Sequence, residues 1–228
     1  MSDGIEWIHE ALNGWGFQLV ALKDAGVEEL AVMLGAEPGT VMAAPAFNAL
    51  VAAAGSTVRL PDLARLGTCG GWAFAFETGG GVFRLDRDHL SHLWEGRTYV
   101  RVSDTMMDPP TLHAVVDGAW DWRYFDGVVH EQVRADHPLT ARMTAEIGLG
   151  GAVPDPDFPD DPDEWALYVP AMADVYRLFG EHYGLTLPRL AIGEPYHYGN
   201  TELYGVFTAP RTLPDGRPNP KYESVPRP

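Results

Sequence analysis

Several residue types are scarce in this sequence, and each scarcity excludes a class of protein. Cys69 is the single cysteine, so no internal disulfide framework can form, and we expect a reducing compartment. No apolar run reaches the roughly 18 residues that a membrane helix needs, and the N-terminus is acidic where a signal peptide is basic. These absences predict a cytoplasmic protein without a membrane span.

Positive charge is also scarce. The chain carries 32 Asp and Glu against 16 Lys and Arg, which gives a net charge of -16, and Lys23 and Lys221 are its only lysines. An acidic surface repels phosphate backbones and anionic membranes, so we expect no nucleic-acid or membrane partner. A basic protein partner fits this charge better. The wealth of arginine, alanine, glycine and proline beside so little lysine is typical of a high-GC bacterial genome.

No assembled catalytic motif is present in the sequence. The glycine-rich runs 79–81 and 148–151 lack the Lys-Ser or Lys-Thr pair of a phosphate loop, and no Gly-x-Ser-x-Gly occurs. The sequence therefore predicts no cofactor and no dedicated metal site.

What the chain does contain is enough apolar material for a core and a clear order of elements. Of its 228 residues, 46% are hydrophobic and 11% aromatic. Alternation and turn signals predict strands at 17–22, 71–77, 98–102, 112–116 and 119–125. In the second of these, Trp72, Phe74 and Phe76 should share one face. Apolar spacing and caps predict helices at 25–34, 45–54, 87–94, 138–149 and 170–183, with Asp24 capping the first and Pro170 in the first turn of the last.

These elements predict an α+β fold. We expect a mostly antiparallel sheet with helices packed on one face, an N-terminal strand-helix unit and an extended C-terminal tail. Residues 1–185 should form a single domain, and 186–228 a C-terminal extension that is proline-rich from about residue 209.

The order of the elements carries a second signal. Short segments of glycine, tryptophan and apolar residues recur along the chain in a definite order. They are Leu34-Gly35, Trp72-Ala73 leading to Glu77, Leu93 and Gly96 before residues 98–102, Val116-Asp117-Gly118, and the helix near 165–183. Over residues 15–185 this arrangement resembles an uncharacterised family of actinobacterial proteins, small α/β domains of unknown function. The resemblance implies a fold and no catalytic residue.

Four residues are candidates for catalysis or metal binding. His89 and His92 lie three residues apart on a predicted helix and can offer two imidazoles to a divalent metal. Cys69 lies beside two glycines, where a substrate can approach a thiolate. His197 lies between two tyrosines and can line a pocket. Solvated or core positions are the commoner state of such residues and are favoured for all four.

Two further groups of side chains lie near the turn at Asp117-Gly118. Asp117, Asp121, Asp126 and Glu131 form a run of carboxylates that can serve turns or acid-base chemistry. Trp120, Trp122 and Tyr124 should share one face of a strand, which is either a core face or, if uncovered, an aromatic interaction surface.

The first functional hypothesis is a non-enzymatic protein-interaction module, of an immunity or regulatory kind, that uses an acidic and aromatic surface. Two alternatives remain open. One is a small metal-assisted or cysteine-dependent hydrolase, and the other is an acidic nucleic-acid mimic. The sequence does not indicate the oligomeric state.

Overall fold

The computed structural model describes most of the predicted elements. The described residues are 4–11, 16–34, 36, 38–39, 41–43, 45–46, 49, 63–78, 96–105, 109–125, 127–130, 133–134, 136–149, 171–188 and 204–207. The predicted helix at 87–94 and nearly all of that at 45–54 lie outside these ranges, as does the proline-rich region from residue 209.

Nine strands and four helices are found in the described residues. The strands are β1 (Phe17–Lys23), β2 (Met42–Ala43), β3 (Leu63–Cys69), β4 (Trp72–Thr78), β5 (Tyr99–Asp104), β6 (Thr111–Val116), β7 (Ala119–Phe125), β8 (Val128–Val129) and β9 (Tyr204–Phe207). The helices are α1 (Trp7–Ala11), α2 (Val27–Met33), α3 (Pro138–Ile147) and α4 (Met172–Tyr183).

All nine strands belong to one sheet. Their order is β2-β9-β3-β4-β1-β5-β6-β7-β8, and every neighbouring pair is antiparallel. The predicted α+β class with a mostly antiparallel sheet is thus confirmed. None of the described helices is long and apolar enough to cross a bilayer.

The sheet separates two apolar cores, and β4 shows why. Trp72, Phe74 and Phe76 lie in the larger core, whereas Ala73 and Ala75 lie in the smaller one, because successive side chains of a strand point to opposite faces. The shared face predicted for the three aromatic residues is confirmed.

The helices cover both faces of the sheet. Apolar residues of α3 and α4 lie in the larger core, together with Ile8 of α1, whereas Leu30 and Ala31 of α2 lie in the smaller core. Three helices thus share one face, as predicted, and α2 lies on the other. The small side chains Ala73 and Ala75 leave room there for α2 to approach the sheet.

Helix α4 ends where its sequence predicts, and it begins at Met172 with Ala171 as its N-cap. Val175, Tyr176, Phe179 and Tyr183 are buried at offsets of one, four and eight residues, which makes one continuous apolar stripe. Gly184 ends the helix in the left-handed conformation, with φ 66°.

Three local features differ from the sequence predictions. Asp24 does not cap α2, since the N-cap is Gly26 and Asp24 has φ 53°. Strand β3 was not predicted, because Ala64 and Gly67 interrupt its apolar pattern and its pairing with β4 and β9 supplies the stability. Residues 204–207, placed by sequence in an extension beyond residue 185, form β9 between β2 and β3.

Candidate functional site

A β-bulge in β7 determines which way the side chains of the β6–β7 hairpin point. Ala114 pairs with Trp122 and Val115 pairs with Trp120, so that Asp121 is an extra residue with no partner on β6. A bulge of this kind interrupts the two-residue alternation of the strand and redirects a side chain. Asp121 therefore turns toward the face covered by α3 and α4.

The bulge also divides the three aromatic residues that were predicted to share a face. Trp122 and Tyr124 are buried in the larger core, where their rings stack at 6.1 Å between centroids. Trp120 is 46% exposed, and its ring meets that of His113 edge-on at 5.4 Å. The prediction of a single aromatic face is wrong, because the alternation on which it depended is broken at Asp121.

Two more apolar side chains are exposed on the outer face of the hairpin, at the end of β7 away from Trp120. Phe125 alternates with the buried Tyr124, and Val128 alternates with Val129, which packs against the larger core. Phe125 and Val128 therefore point away from that core, and they are 46% and 54% exposed. We call Trp120, Phe125 and Val128 the outer patch.

The carboxylate of Asp121 accepts one hydrogen bond and lies close to one imidazole. The hydroxyl of Tyr183 donates to its Oδ2 at 2.8 Å, and Nε2 of His137 lies 3.3 Å from the same oxygen. Within the described part of the chain, Oδ1 takes part in no hydrogen bond. The protein thus orients Oδ2, while Oδ1 can still accept a hydrogen bond or bind an ion.

His137 is placed by the start of α3. It is the N-cap residue before Pro138, and its Nδ1 accepts a hydrogen bond from the backbone N–H of Leu139 at 3.2 Å. Because Nδ1 accepts, the proton of the neutral ring is on Nε2 and points at Asp121. The side chain is only 2% exposed, so this arrangement is tightly confined.

His182 completes the cluster from the last turn of α4. Its ring centroid lies 5.4 Å from that of His137 and 4.7 Å from that of Tyr183. Partial burial lowers the pKa of His182, and the nearby His137 lowers it further, which together outweigh the opposing effect of Asp121. The imidazole is therefore more easily kept neutral than an isolated one.

Tyr183 acts as a neutral donor. Its pKa is raised, first by burial and then by its hydrogen bond to the Asp121 carboxylate, so the phenol keeps its proton well above neutral pH. Ligand atoms of Asp121, His137 and His182 all lie within 4.8 Å of one another. We call these three residues the Asp-His-His cluster. It combines one carboxylate and two imidazoles.

Of the four residues singled out by sequence, Cys69 lies in the described part of the chain, and it is not a member of the cluster. His89, His92 and His197 lie outside the described residues. Cys69 lies in β3, where its Sγ is 3.3 Å from the hydroxyl of Thr186. A hydroxyl is not a base that can take the thiol proton at neutral pH, so this contact does not activate the cysteine.

The run of carboxylates separates in the structure as well. Asp117 serves the turn before β7, with φ 51° beside Gly118 at φ 80°. Asp126 and Glu131 lie outside the described residues. Of the run, only Asp121 is seen to join a cluster. Pro138 indicates that a helix begins next to His137. No sequence pattern, however, indicates that His137 lies close to Asp121 or His182.

Removing the Asp121 carboxylate should destabilise the fold. Asp121→Ala leaves the Tyr183 hydroxyl without its acceptor and removes the carboxylate beside His137, which should cost about 1–3 kcal/mol of unfolding free energy. Asp121→Asn keeps an acceptor oxygen and should cost less than half as much. Urea denaturation of both variants measures the difference, and equal losses would contradict the role of Asp121 as an acceptor.

Comparisons with known proteins do not show what this site does. No family model, no curated protein and no solved structure matches the chain. The outer patch and the Asp-His-His cluster are therefore the features from which function is argued.

Proposed function

We propose that this protein is a cytoplasmic, non-enzymatic interaction module that binds a basic protein partner through the outer patch. The observation that carries the proposal is the exposure of Trp120, Phe125 and Val128 on one face of the hairpin at a sheet edge. Exposed tryptophan and phenylalanine side chains anchor protein interfaces, because they bury a large apolar area and lose little side-chain entropy on binding.

Charge supports the same kind of partner. The net charge of -16 attracts a basic surface and speeds the encounter. Asp117 is exposed at the turn just before Trp120, so a carboxylate lies next to the apolar anchor. An exposed tryptophan close in the chain to an exposed carboxylate fits a partner that presents an apolar pocket with lysine or arginine beside it. An immunity or regulatory protein is consistent with this chemistry.

Affinity capture with matched variants tests the proposal. The tagged chain is incubated with bacterial lysate at about 0.05 M and 0.5 M salt, which screens exposed charges to different extents. We expect a retained protein that is lost at high salt and is reduced about tenfold or more by Trp120→Ala. Val32→Ala removes an apolar side chain that is 41% exposed on α2 and should change nothing.

Two outcomes would contradict the interaction module. One is that no retained protein depends on Trp120. The other is that Val32→Ala reduces retention as much as Trp120→Ala does, because binding would then depend on general apolar exposure and not on the outer patch.

A second candidate is a small hydrolase of the metal-assisted or cysteine-dependent kind. The observation that favours the metal-assisted form is the convergence of Asp121, His137 and His182. The cysteine-dependent form requires a base beside Cys69. The third interpretation, an acidic nucleic-acid mimic, requires carboxylates in regular rows and stays a prediction.

A further inference from the structure

The Asp-His-His cluster lies on the sheet face opposite the outer patch, so its chemistry is independent of the proposed interaction surface. Its three members come from three elements: Asp121 from the bulge of β7, His137 from the N-cap of α3 and His182 from the last turn of α4. Bulges are common next to active sites, where they redirect a side chain, and this one turns a carboxylate toward two imidazoles.

We propose that the Asp-His-His cluster binds one divalent ion of the zinc class, through Asp121, His137 and His182. The donor set is two imidazole nitrogens and one carboxylate oxygen, which zinc accepts in sites with three protein ligands. The fourth position of such a site is taken by water or a substrate.

The distances in the cluster fit this ion. Ligand atoms at about 2.0–2.2 Å from a tetrahedral zinc ion lie about 3.3–3.6 Å from one another. Nε2 of His137 and Oδ2 of Asp121 are 3.3 Å apart. All three ligand atoms lie within 4.8 Å of one another, and a small rotation of the exposed His182 brings its nitrogen into range.

The surroundings of the cluster supply the support that metal ligands need. Tyr183 donates to Asp121 and fixes the carboxylate, as an outer hydrogen bond does around known metal sites. His182 is exposed, and within the described residues neither of its ring nitrogens is hydrogen-bonded. Solvent can therefore reach the ion through the side on which His182 lies.

The position of His137 makes metal binding compete with a helix cap. Zinc needs the lone pair of Nε2, and the proton now on Nε2 must then leave or move to Nδ1. A proton on Nδ1 would face the N–H of Leu139, which now donates to that atom. Zinc binding therefore breaks the capping hydrogen bond between Leu139 and His137. The affinity for zinc should be lower than at a site where Nδ1–H of the histidine donates to an acceptor.

Zinc and cobalt titration of the full chain tests the proposal. Isothermal titration calorimetry should show one zinc ion per chain at this site, and Co²⁺ should give the intense visible bands of four-coordinate geometry. Asp121→Asn and His182→Gln are the test variants, because both side chains reach solvent and their replacement leaves the buried His137 in place. Each should lower zinc affinity at least tenfold.

His9→Gln is the matched control. His9 lies on α1, where its ring packs against Tyr176 and not against the cluster, so its replacement should leave affinity and the cobalt spectrum unchanged. Zinc should also raise the melting temperature of wild type and His9→Gln, and not that of the two test variants.

Three results would overturn the metal site. One is the absence of stoichiometric binding by the wild-type chain. Another is binding that survives both Asp121→Asn and His182→Gln, since the ion would then lie elsewhere. The third is equal loss in His9→Gln, which would indicate scattered histidine binding. None of these results bears on the outer patch, which Trp120→Ala tests separately.

Discussion

Trp122→Ala should lower the unfolding free energy by about 3–5 kcal/mol, the cost of removing a large aromatic side chain from a packed core. Trp122 is fully buried. Its ring stacks on Tyr124 and lies 5.7 Å from the ring of Phe179 in α4, and its Nε1 donates to the hydroxyl of Thr140 in α3 at 3.0 Å. One side chain thus joins β7 to both α3 and α4.

Trp120→Ala is a matched control for this prediction. Both variants replace a tryptophan of β7. Trp120 lies two positions before Trp122, and the bulge at Asp121 separates the two. Because Trp120 is 46% exposed, its loss should cost less than about 1 kcal/mol. Urea denaturation followed by circular dichroism measures both variants. Similar losses for the two would contradict the assignment of Trp120 and Trp122 to opposite faces of the sheet.

Alkaline pH should destabilise the fold through buried phenols, and Tyr183, whose pKa is raised beside Asp121, adds to the effect of Tyr99 and Tyr176. Burial raises the pKa of Tyr99, and burial together with the Asp104 carboxylate raises the pKa of Tyr176, whose hydroxyl donates to that carboxylate at 3.1 Å. In the unfolded chain these phenols ionise near pH 10. The folded state therefore holds more protons above pH 10, and stability is lost as the pH rises beyond that point.

The size of this loss follows from the proton count. Each phenol that stays protonated in the fold costs about 1.4 kcal/mol of unfolding free energy per pH unit above its unfolded pKa. Tyr99 and Tyr176 together should cost about 3 kcal/mol between pH 9 and pH 11, and Tyr183 raises the total to about 4 kcal/mol. Lysine adds little to this pH range, since Lys23 and Lys221 are the only two in the chain.

Urea denaturation at pH 9, 10 and 11 measures the loss, and tyrosinate absorbance reports which phenols ionise before unfolding. Tyr176→Phe should remove about half of the pH dependence contributed by the pair. A slope identical to that of the wild type would show that Tyr176 ionises equally easily in both states, which would contradict its burial beside Asp104.

Much of the fold follows from patterns that a reader can see in the sequence. The alternation of Trp72, Phe74 and Phe76 with alanines identifies β4 and both of its faces. The apolar spacing of α4 and the stop at Gly184 identify that helix and its end. These signals are local, because each depends on neighbours within one turn of helix or a few residues of strand.

Strands β3 and β9 are less visible in the sequence. Residues 63–69 contain alanine, glycine and arginine, and residues 204–207 precede a proline-rich region. Each is a strand because it pairs with another: β3 lies between β4 and β9, and β9 lies between β2 and β3. Strand formation here depends on partners distant in the chain, which propensity does not encode.

The sequence by itself determined the composition, the acidic charge, the order of the main elements and the faces of the strands that alternate without interruption. Only the tertiary structure decided where Asp121 points and what it meets. Alternation assigns faces only while strand register is continuous, and one extra residue in β7 reverses it. His137 and His182 then reach Asp121 through the packing of α3 and α4, an arrangement set by the core and not by sequence spacing.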